Sequence, residues 1–180
     1  MFLRSVERLA KPSIMIGAFI LFVGIMIPIN TVFAPDFKYL TQTFGYTAKE
    51  AYKMIESYGV LGRALHLKVL FADIAMVILY SIFFSTTIYK AFNVLMKKKQ
   101  MVSILCFIPF MLAVIQMIEI ILLFIILTQY PKVLESLAEL SGYITSIKIA
   151  LTPICFLLPL VGCAGVIMKK ILVKGTKGYK

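Results

Sequence analysis

Four long apolar segments constrain this chain more than any other feature of its sequence. Each exceeds the roughly 20 residues that an α-helix needs to cross the ~30 Å hydrocarbon core of a bilayer. They run from Pro12 to Phe33, from His66 to Ile88, from Val102 to Leu127 and from Tyr143 to Met168. Backbone groups in lipid have to be hydrogen-bonded within their own segment, so each span is predicted to be a helix. We therefore expect an all-α membrane protein, a bundle of four transmembrane helices.

The composition supports this fold class. Of the 180 residues, 61% are hydrophobic and 15% are charged, whereas soluble domains average about half apolar and about a quarter charged residues. A soluble globular enzyme, a disordered chain and a disulfide scaffold are thereby excluded. We expect one membrane domain over residues 1–180, with outer loops at 35–62 and 129–142, a cytoplasmic loop at 89–101 and a cytoplasmic tail at 169–180.

Basic residues are distributed unevenly between the two ends of the predicted bundle. Twelve of the 19 lysines and arginines fall on one side, where Glu7 is the only acid: Arg4, Arg8, Lys11, Lys90, Lys97, Lys98, Lys99, Lys169, Lys170, Lys174, Lys177 and Lys180. The positive-inside rule then predicts a multi-pass plasma-membrane protein with both termini in the cytoplasm. The net charge of +11 is explained by topology and contact with anionic lipid. Nucleic acid is not an expected partner, since no folded basic domain is available to bind it.

Two outer segments are predicted to form short amphipathic helices. Thr47 and Glu50 have the spacing of a capping box, so a helix should begin there and lie over the mouth of the bundle. In the second segment, Val133, Leu134 and Leu137 recur at helical spacing. The sequence therefore predicts a four-helix bundle with two short outer helices.

Ionisable residues inside the predicted spans are the strongest indication of a site, because they are costly in lipid and usually face the bundle interior. Asp73 and Glu119 each lie ~15 Å below the outer end of their span, from the rise per residue. Arg63 and Lys148 supply opposite charges from the same outer half. Helical phase and depth predict an outward-facing ligand- or ion-binding site. Its main members are Arg63, Asp73, Glu119 and Lys148, and its secondary members are His66, Gln116, Thr145 and Asn30.

Several uses of such a cluster are left open by the sequence. A buried ion-pair network would only fix helix register, whereas an outward-opening cavity would bind a small polar ligand or a lipid headgroup. The same cluster would also suit a subunit of a membrane complex, a small proton- or ion-coupled transporter or channel, or a lipid-modifying enzyme. Membrane lipid is an expected partner, and a homo-oligomer or a partner subunit remains open.

Several kinds of chemistry are excluded or disfavoured by the residue inventory. His66 is the sole histidine, so bis-histidine haem within one chain is excluded and a histidine-rich zinc site is also excluded. Cys106, Cys155 and Cys163 form no CxxC pair, which disfavours a thiol oxidoreductase. Without a recognisable nucleophile or metal set, we expect a non-enzymatic protein with no cofactor.

Several short motifs, taken together in their order along the chain, resemble a known pattern. Tyr58-Gly59-x-x-Gly62-Arg63, Asp73, Glu119, Tyr130-Pro131 and Thr145-x-x-Lys148 occur in this order. In combination they resemble the pattern of an uncharacterised family of small prokaryotic four-helix integral membrane proteins, over roughly residues 46–150. The resemblance implies the same membrane fold and the same polar constellation, and it implies no activity.

Overall fold

The computed structural model describes residues 2–31 and 39–177, without the side chains of residues 30, 31 and 174–177. Within these ranges the chain forms helices and no strand: α1 Phe2–Leu9, α2 Pro12–Thr31, α3 Ala48–Ser57, α4 Gly59–Leu95, α5 Lys99–Gln129 and α6 Glu135–Lys177, with a 3-10 turn at Leu40–Gln42. Helices α2, α4, α5 and α6 are long and apolar enough to cross a membrane. The predicted all-α, multi-pass architecture is confirmed. The predicted end of the first span at Phe33 lies outside the described residues.

Helix α4 is the centre of the bundle. Helix α2 packs mainly along α4, where the rings of Phe19 and Phe83 lie 5.0 Å apart between centroids. Helix α6 packs along α4 and α5, with Phe84 and Phe156 in edge contact at 4.8 Å. In the described residues, α2 and α6 make no extensive contact with each other, although both line a cavity beside α4.

The end of the bundle that is predicted to face outward, here called the outer end, is covered by the 3-10 turn and by α3. The predicted capping box is confirmed: the Glu50 amide donates to the Thr47 hydroxyl, and the Glu50 carboxylate accepts from the Thr47 amide at 2.8 Å. These hydrogen bonds from Thr47 lower the pKa of Glu50. Gly59 then has a φ of +62°, a conformation that glycine adopts without steric cost, and α4 begins at this residue.

The second predicted outer helix is not a separate element. Its residues form the first turns of α6, which runs without interruption from Glu135 to Lys177. Gly142 was the only helix-weakening residue between the outer segment and the span, and a single interior glycine costs only about 1 kcal/mol. The first turns of α6 therefore provide a wall for α3 and the 3-10 turn.

The opposite end of the bundle is closed by α1, a helix that was not predicted from the sequence. Val6 is buried in a cluster with Ile88 and Val102, and Phe2 makes edge contacts with Phe107 and Phe110. Arg4 and Arg8 remain exposed. The N-terminal residues therefore lie at the same end as the connection between α4 and α5.

The C-terminal part of α6 also reaches this end. Lys169 donates a hydrogen bond of 2.7 Å to the carbonyl of Val94, near the end of α4. The basic residues of both terminal regions and of the α4–α5 connection are thus gathered at one end. The side chains of Lys174 and Lys177, and all of Lys180, lie outside the described residues.

Candidate functional site

A buried ion pair joins α5 and α6 in the outer half of the bundle. The Lys148 Nζ lies 2.7 Å from Glu119 Oε2 and 2.9 Å from Oε1. Glu119 is 0% exposed, and its Oε1 also accepts a 2.6 Å hydrogen bond from the Thr145 hydroxyl. Thr145 and Lys148 share one face of α6 because they are three residues apart. The carboxylate is therefore neutralised and hydrogen-bonded by one face of the neighbouring helix.

Lys148 also binds the outer loop. Its ammonium group donates a 2.7 Å hydrogen bond to the carbonyl of Thr41, in the 3-10 turn. The ammonium group also donates to Glu119 Oε1, whereas its contact with Oε2 is an ion pair without hydrogen-bond geometry. Lys148 thus joins the outer loop to the buried carboxylate of α5.

A second set of contacts ties the loop to α6. The Tyr46 and Ser141 hydroxyls lie 2.7 Å apart, and the Gly45 amide donates to the Ser146 hydroxyl at 3.0 Å. Burial raises the pKa of Tyr46 above its usual value. At Gly142 the Tyr46 backbone carbonyl occupies the space of a side chain. The absence of a Cβ at Gly142 therefore permits this close approach.

A cavity of about 290 Å³ lies between the four spans and under the outer loop. Among the described residues, its polar wall includes six side chains or loop groups: Thr41, Gln42, Asp73, Gln116, Lys148 and Thr152. Its remaining wall is apolar or aromatic: Phe22, Met26, Ile29, Tyr39, Val69, Met76, Tyr80, Phe84, Leu112, Cys155 and Phe156. Such a mixture of apolar walls and a few convergent polar groups is typical of a small-molecule site.

Asp73 differs sharply from Glu119. Its side chain lies on the cavity wall and the residue is 8% exposed. In the part of the chain that the structure describes, no hydrogen bond or ion pair reaches its carboxylate. Buried charges are ordinarily paired, because an isolated one is costly. Asp73 therefore presents an uncompensated acceptor to the cavity.

His66 lies two turns nearer the outer end of α4 but does not reach the cavity. It is 0% exposed and packs against two rings, with centroid distances of 4.7 Å to Tyr39 and 5.6 Å to Tyr58. Neither ring nitrogen has a hydrogen-bond partner among the described residues. Tyr39 lines the cavity, so its ring lies between the histidine and the cavity.

The other predicted site residues are placed in three different ways. Gln116 lines the cavity and accepts a 3.2 Å hydrogen bond from the Tyr80 hydroxyl. Arg63 does not line the cavity, since its guanidinium stacks 4.4 Å above the Tyr130 ring centroid. The side chain of Asn30 lies outside the described residues.

Several groups in this region were not predicted from the sequence to belong to the site. In the sequence, Tyr46 resembles a tyrosine that only anchors the protein at the membrane surface. In the structure its hydroxyl is hydrogen-bonded to Ser141 of α6. Thr41 contributes its backbone carbonyl to the site, as the acceptor for Lys148. Every residue has such a carbonyl, so the amino-acid sequence could not single it out. Tyr80 shares the helical phase of Asp73 and Thr152 continues the polar stripe of α6, so periodicity was the signal that could have added both to the site.

Below the cavity, the polar side chains of α4 bond to backbone groups. Ser81, Ser85, Thr86 and Thr87 each donate to a main-chain carbonyl at 2.6 or 2.7 Å. Ile88, Val102 and Cys106 are each fully buried beyond them. In the described residues, the polar wall thus ends above a tightly packed apolar region.

No protein-family model, curated protein or solved structure matches this chain. A fold of this kind hosts many activities, so function has to be argued from the site itself.

Proposed function

We propose that this chain is a non-enzymatic binding protein of the plasma membrane, which receives a small polar ligand or a lipid headgroup in its outer cavity. One observation carries the proposal: the Asp73 carboxylate is buried, faces a cavity and has no partner among the described residues. A ligand that donates to this carboxylate would remove the cost of leaving it uncompensated.

The paired acid supports this assignment by contrast. Glu119 is paired with Lys148 and accepts a hydrogen bond from Thr145. An ion-pair network therefore accounts for the charge of Glu119 but not for the buried carboxyl group of Asp73. We assign the Glu119–Lys148 pair to the support of the cavity wall and of the outer loop. Asp73 is assigned to the ligand.

The rim of the cavity favours a ligand that reaches the site from the bilayer. Two of the lining residues, Met26 on α2 and Phe156 on α6, are 36% and 45% exposed. They stand on the two helices that lack extensive contact with each other. An apolar rim between transmembrane helices is compatible with an acyl chain, while the exposed Gln42 borders the same cavity at the outer loop.

The proposed orientation places this cavity on the outer side. Both terminal regions and the α4–α5 connection carry basic residues at one end of the bundle, and the positive-inside rule assigns that end to the cytoplasm. The packed inner half favours binding over transport, because a transported ion or proton would need a polar route through it.

The proposal is tested by identifying the small molecules that co-purify with the protein. The full chain and the Asp73→Asn variant are purified from the same membranes in maltoside detergent, and bound molecules are extracted and identified by mass spectrometry. Glu56→Gln is the matched control, since Glu56 is an exposed carboxylate outside the cavity. We expect one molecular species in near-stoichiometric amount with the wild type and Glu56→Gln, reduced at least about tenfold in Asp73→Asn. An identical profile in all three proteins would refute the proposal.

A further inference from the structure

We propose that the ligand of this cavity carries a positively charged organic ammonium group, which binds between Asp73 and the aromatic walls. This inference rests on the proposed binding function and specifies the chemical class of the ligand.

The charge balance of the site favours a cationic ligand. Glu119 and Lys148 neutralise each other across a 2.7 Å contact. Among the described residues that line the cavity, Lys148 is the only basic one, and its ammonium group also has a partner in Thr41. Asp73 is the carboxylic acid on the described wall, and no salt bridge reaches it there. An anionic ligand would add a second uncompensated charge in a low-dielectric region, whereas an ammonium group would supply the missing counter-charge.

The surface around Asp73 favours an organic cation. Tyr80 lies two turns below Asp73 on α4 and lines the same cavity. Tyr39 also lines the cavity, and its ring contacts that of His66, two turns above Asp73. The Phe84 ring is in contact with those of Tyr80 and Phe22, at centroid distances of 6.1 and 6.4 Å. Aromatic faces attract organic cations, most strongly where the site is desolvated.

The same surface disfavours a metal ion as the occupant. Hard metal cations such as Ca²⁺ take six to eight oxygen ligands. The wall near Asp73 consists largely of aromatic and aliphatic carbon, with the side-chain oxygen of Gln116 already accepting from Tyr80. An organic ammonium group needs only one counter-charge and gains from the carbon surface, so it fits both features.

The cavity volume limits which part of an amphiphile it can enclose. About 290 Å³ lies at the lower limit of ligand pockets, which run from ~300 to ~1,000 Å³. It is enough for an ammonium head and a few carbons. A longer chain would leave between Met26 and Phe156, the apolar rim residues of α2 and α6.

The test compares probes that share a chain and differ in the head. Purified wild-type protein in maltoside detergent is titrated with dodecylamine, dodecyl phosphate or dodecanol at neutral pH, where an alkylamine is protonated. Binding is followed by native mass spectrometry and by the shift in melting temperature. We expect dodecylamine to bind at least about tenfold more tightly than either other probe. Butylamine tests whether the ligand is a water-soluble amine or a membrane amphiphile. If butylamine binds as tightly as dodecylamine, the ligand is assigned as a water-soluble amine. If it binds more weakly, the ligand is assigned as an amphiphile with an ammonium head.

Variants link the preference to Asp73. We expect Asp73→Asn to abolish the preference for dodecylamine, and Asp73→Glu, which keeps the charge, to retain it. Glu56→Gln should behave as the wild type, and the melting temperature without probe shows that each variant is folded. An unchanged preference in Asp73→Asn would overturn the role of Asp73.

Failure of the inference is distinguishable from failure of the proposed function. Equal or tighter binding of dodecyl phosphate or dodecanol would overturn the ammonium assignment and leave a binding protein. No binding of any probe, together with no co-purified molecule, would overturn both.

Discussion

At the scale of single residues, the site shows how two carboxylates at similar depth acquire different roles. Glu119 is held by Lys148 and Thr145, so its charge is balanced before any ligand arrives. Asp73 has no such partner among the described residues. Lys148 causes this difference because it forms a salt bridge with Glu119 and none with Asp73. The Thr41 carbonyl accepts a hydrogen bond from the same ammonium group and helps to hold it beside Glu119.

Lys148→Met should destabilise the protein strongly. Removing one member of a buried pair leaves the other as an uncompensated charge, which typically costs about 3–5 kcal/mol. The measurement is the free energy of unfolding, or the melting temperature, in detergent. The double variant Lys148→Met/Glu119→Gln removes both charges and should regain much of the loss. Equal stability of the single and double variants would contradict the importance of the pair.

Part of this arrangement was predictable from the sequence. The rise per residue places Asp73 and Glu119 at similar depth, and Lys148 falls in the same half of the bundle, because a regular helix converts residue number into position. The loop groups were not predictable in this way, since Thr41 and Tyr46 lie in a segment without periodicity. The position of Arg63 was also not predictable. Helical phase gives the direction of its Cβ, but the long side chain is flexible, and its guanidinium group stacks on the Tyr130 ring.

At the scale of elements, the outer loop and α6 behave as one unit. The loop is bonded to α6 through Tyr46, Gly45 and Thr41. The amide of Ala48, at the start of α3, also donates to Glu139 at 2.7 Å. The roof of the cavity is therefore held by the outer extension of one transmembrane helix.

Gly142→Ala should disrupt this unit. The added methyl group would meet the backbone carbonyl of Tyr46, which cannot move without the loop. Forcing such a contact typically costs about 1–3 kcal/mol. We expect a lower melting temperature and faster trypsin cleavage at Lys49 and Lys53 in α3. Gly24→Ala is the matched control, because a Cβ at Gly24 meets open space; an equal effect of both substitutions would contradict the role of Gly142.

The elements themselves were predicted unequally well. The four spans follow from their length and apolar content, and the start of α3 follows from its capping box. The continuity of α6 was not predicted, because the outer segment and the span were treated as separate amphipathic and apolar elements. In the structure they form one helix, and Gly142 allows close packing against Tyr46. Helix α1 was missed because its sequence is short and basic, and its single buried turn depends on contacts with α4 and α5.

At the scale of the whole molecule, the distribution of basic residues predicts the direction of the bundle in the membrane. Single cysteines are introduced at Lys53 or Lys97 in a variant lacking Cys106, Cys155 and Cys163. A membrane-impermeant maleimide added to intact cells should label the cysteine at position 53. The cysteine at position 97 should be labelled only after the cells are opened. The opposite labelling pattern would reverse the orientation and place the cavity on the cytoplasmic side.

The separate attachment of α2 and α6 to the central helix has a mechanical consequence. Because these two helices are not locked to each other, the distance between them depends partly on the lipids that press on their outer faces. Bilayers of different thickness impose different tilts on transmembrane helices. The width of the cavity opening therefore depends on both the protein and the surrounding lipid. Ligand occupancy would then change with the acyl-chain length of the bilayer lipids, even when the binding groups themselves are unchanged.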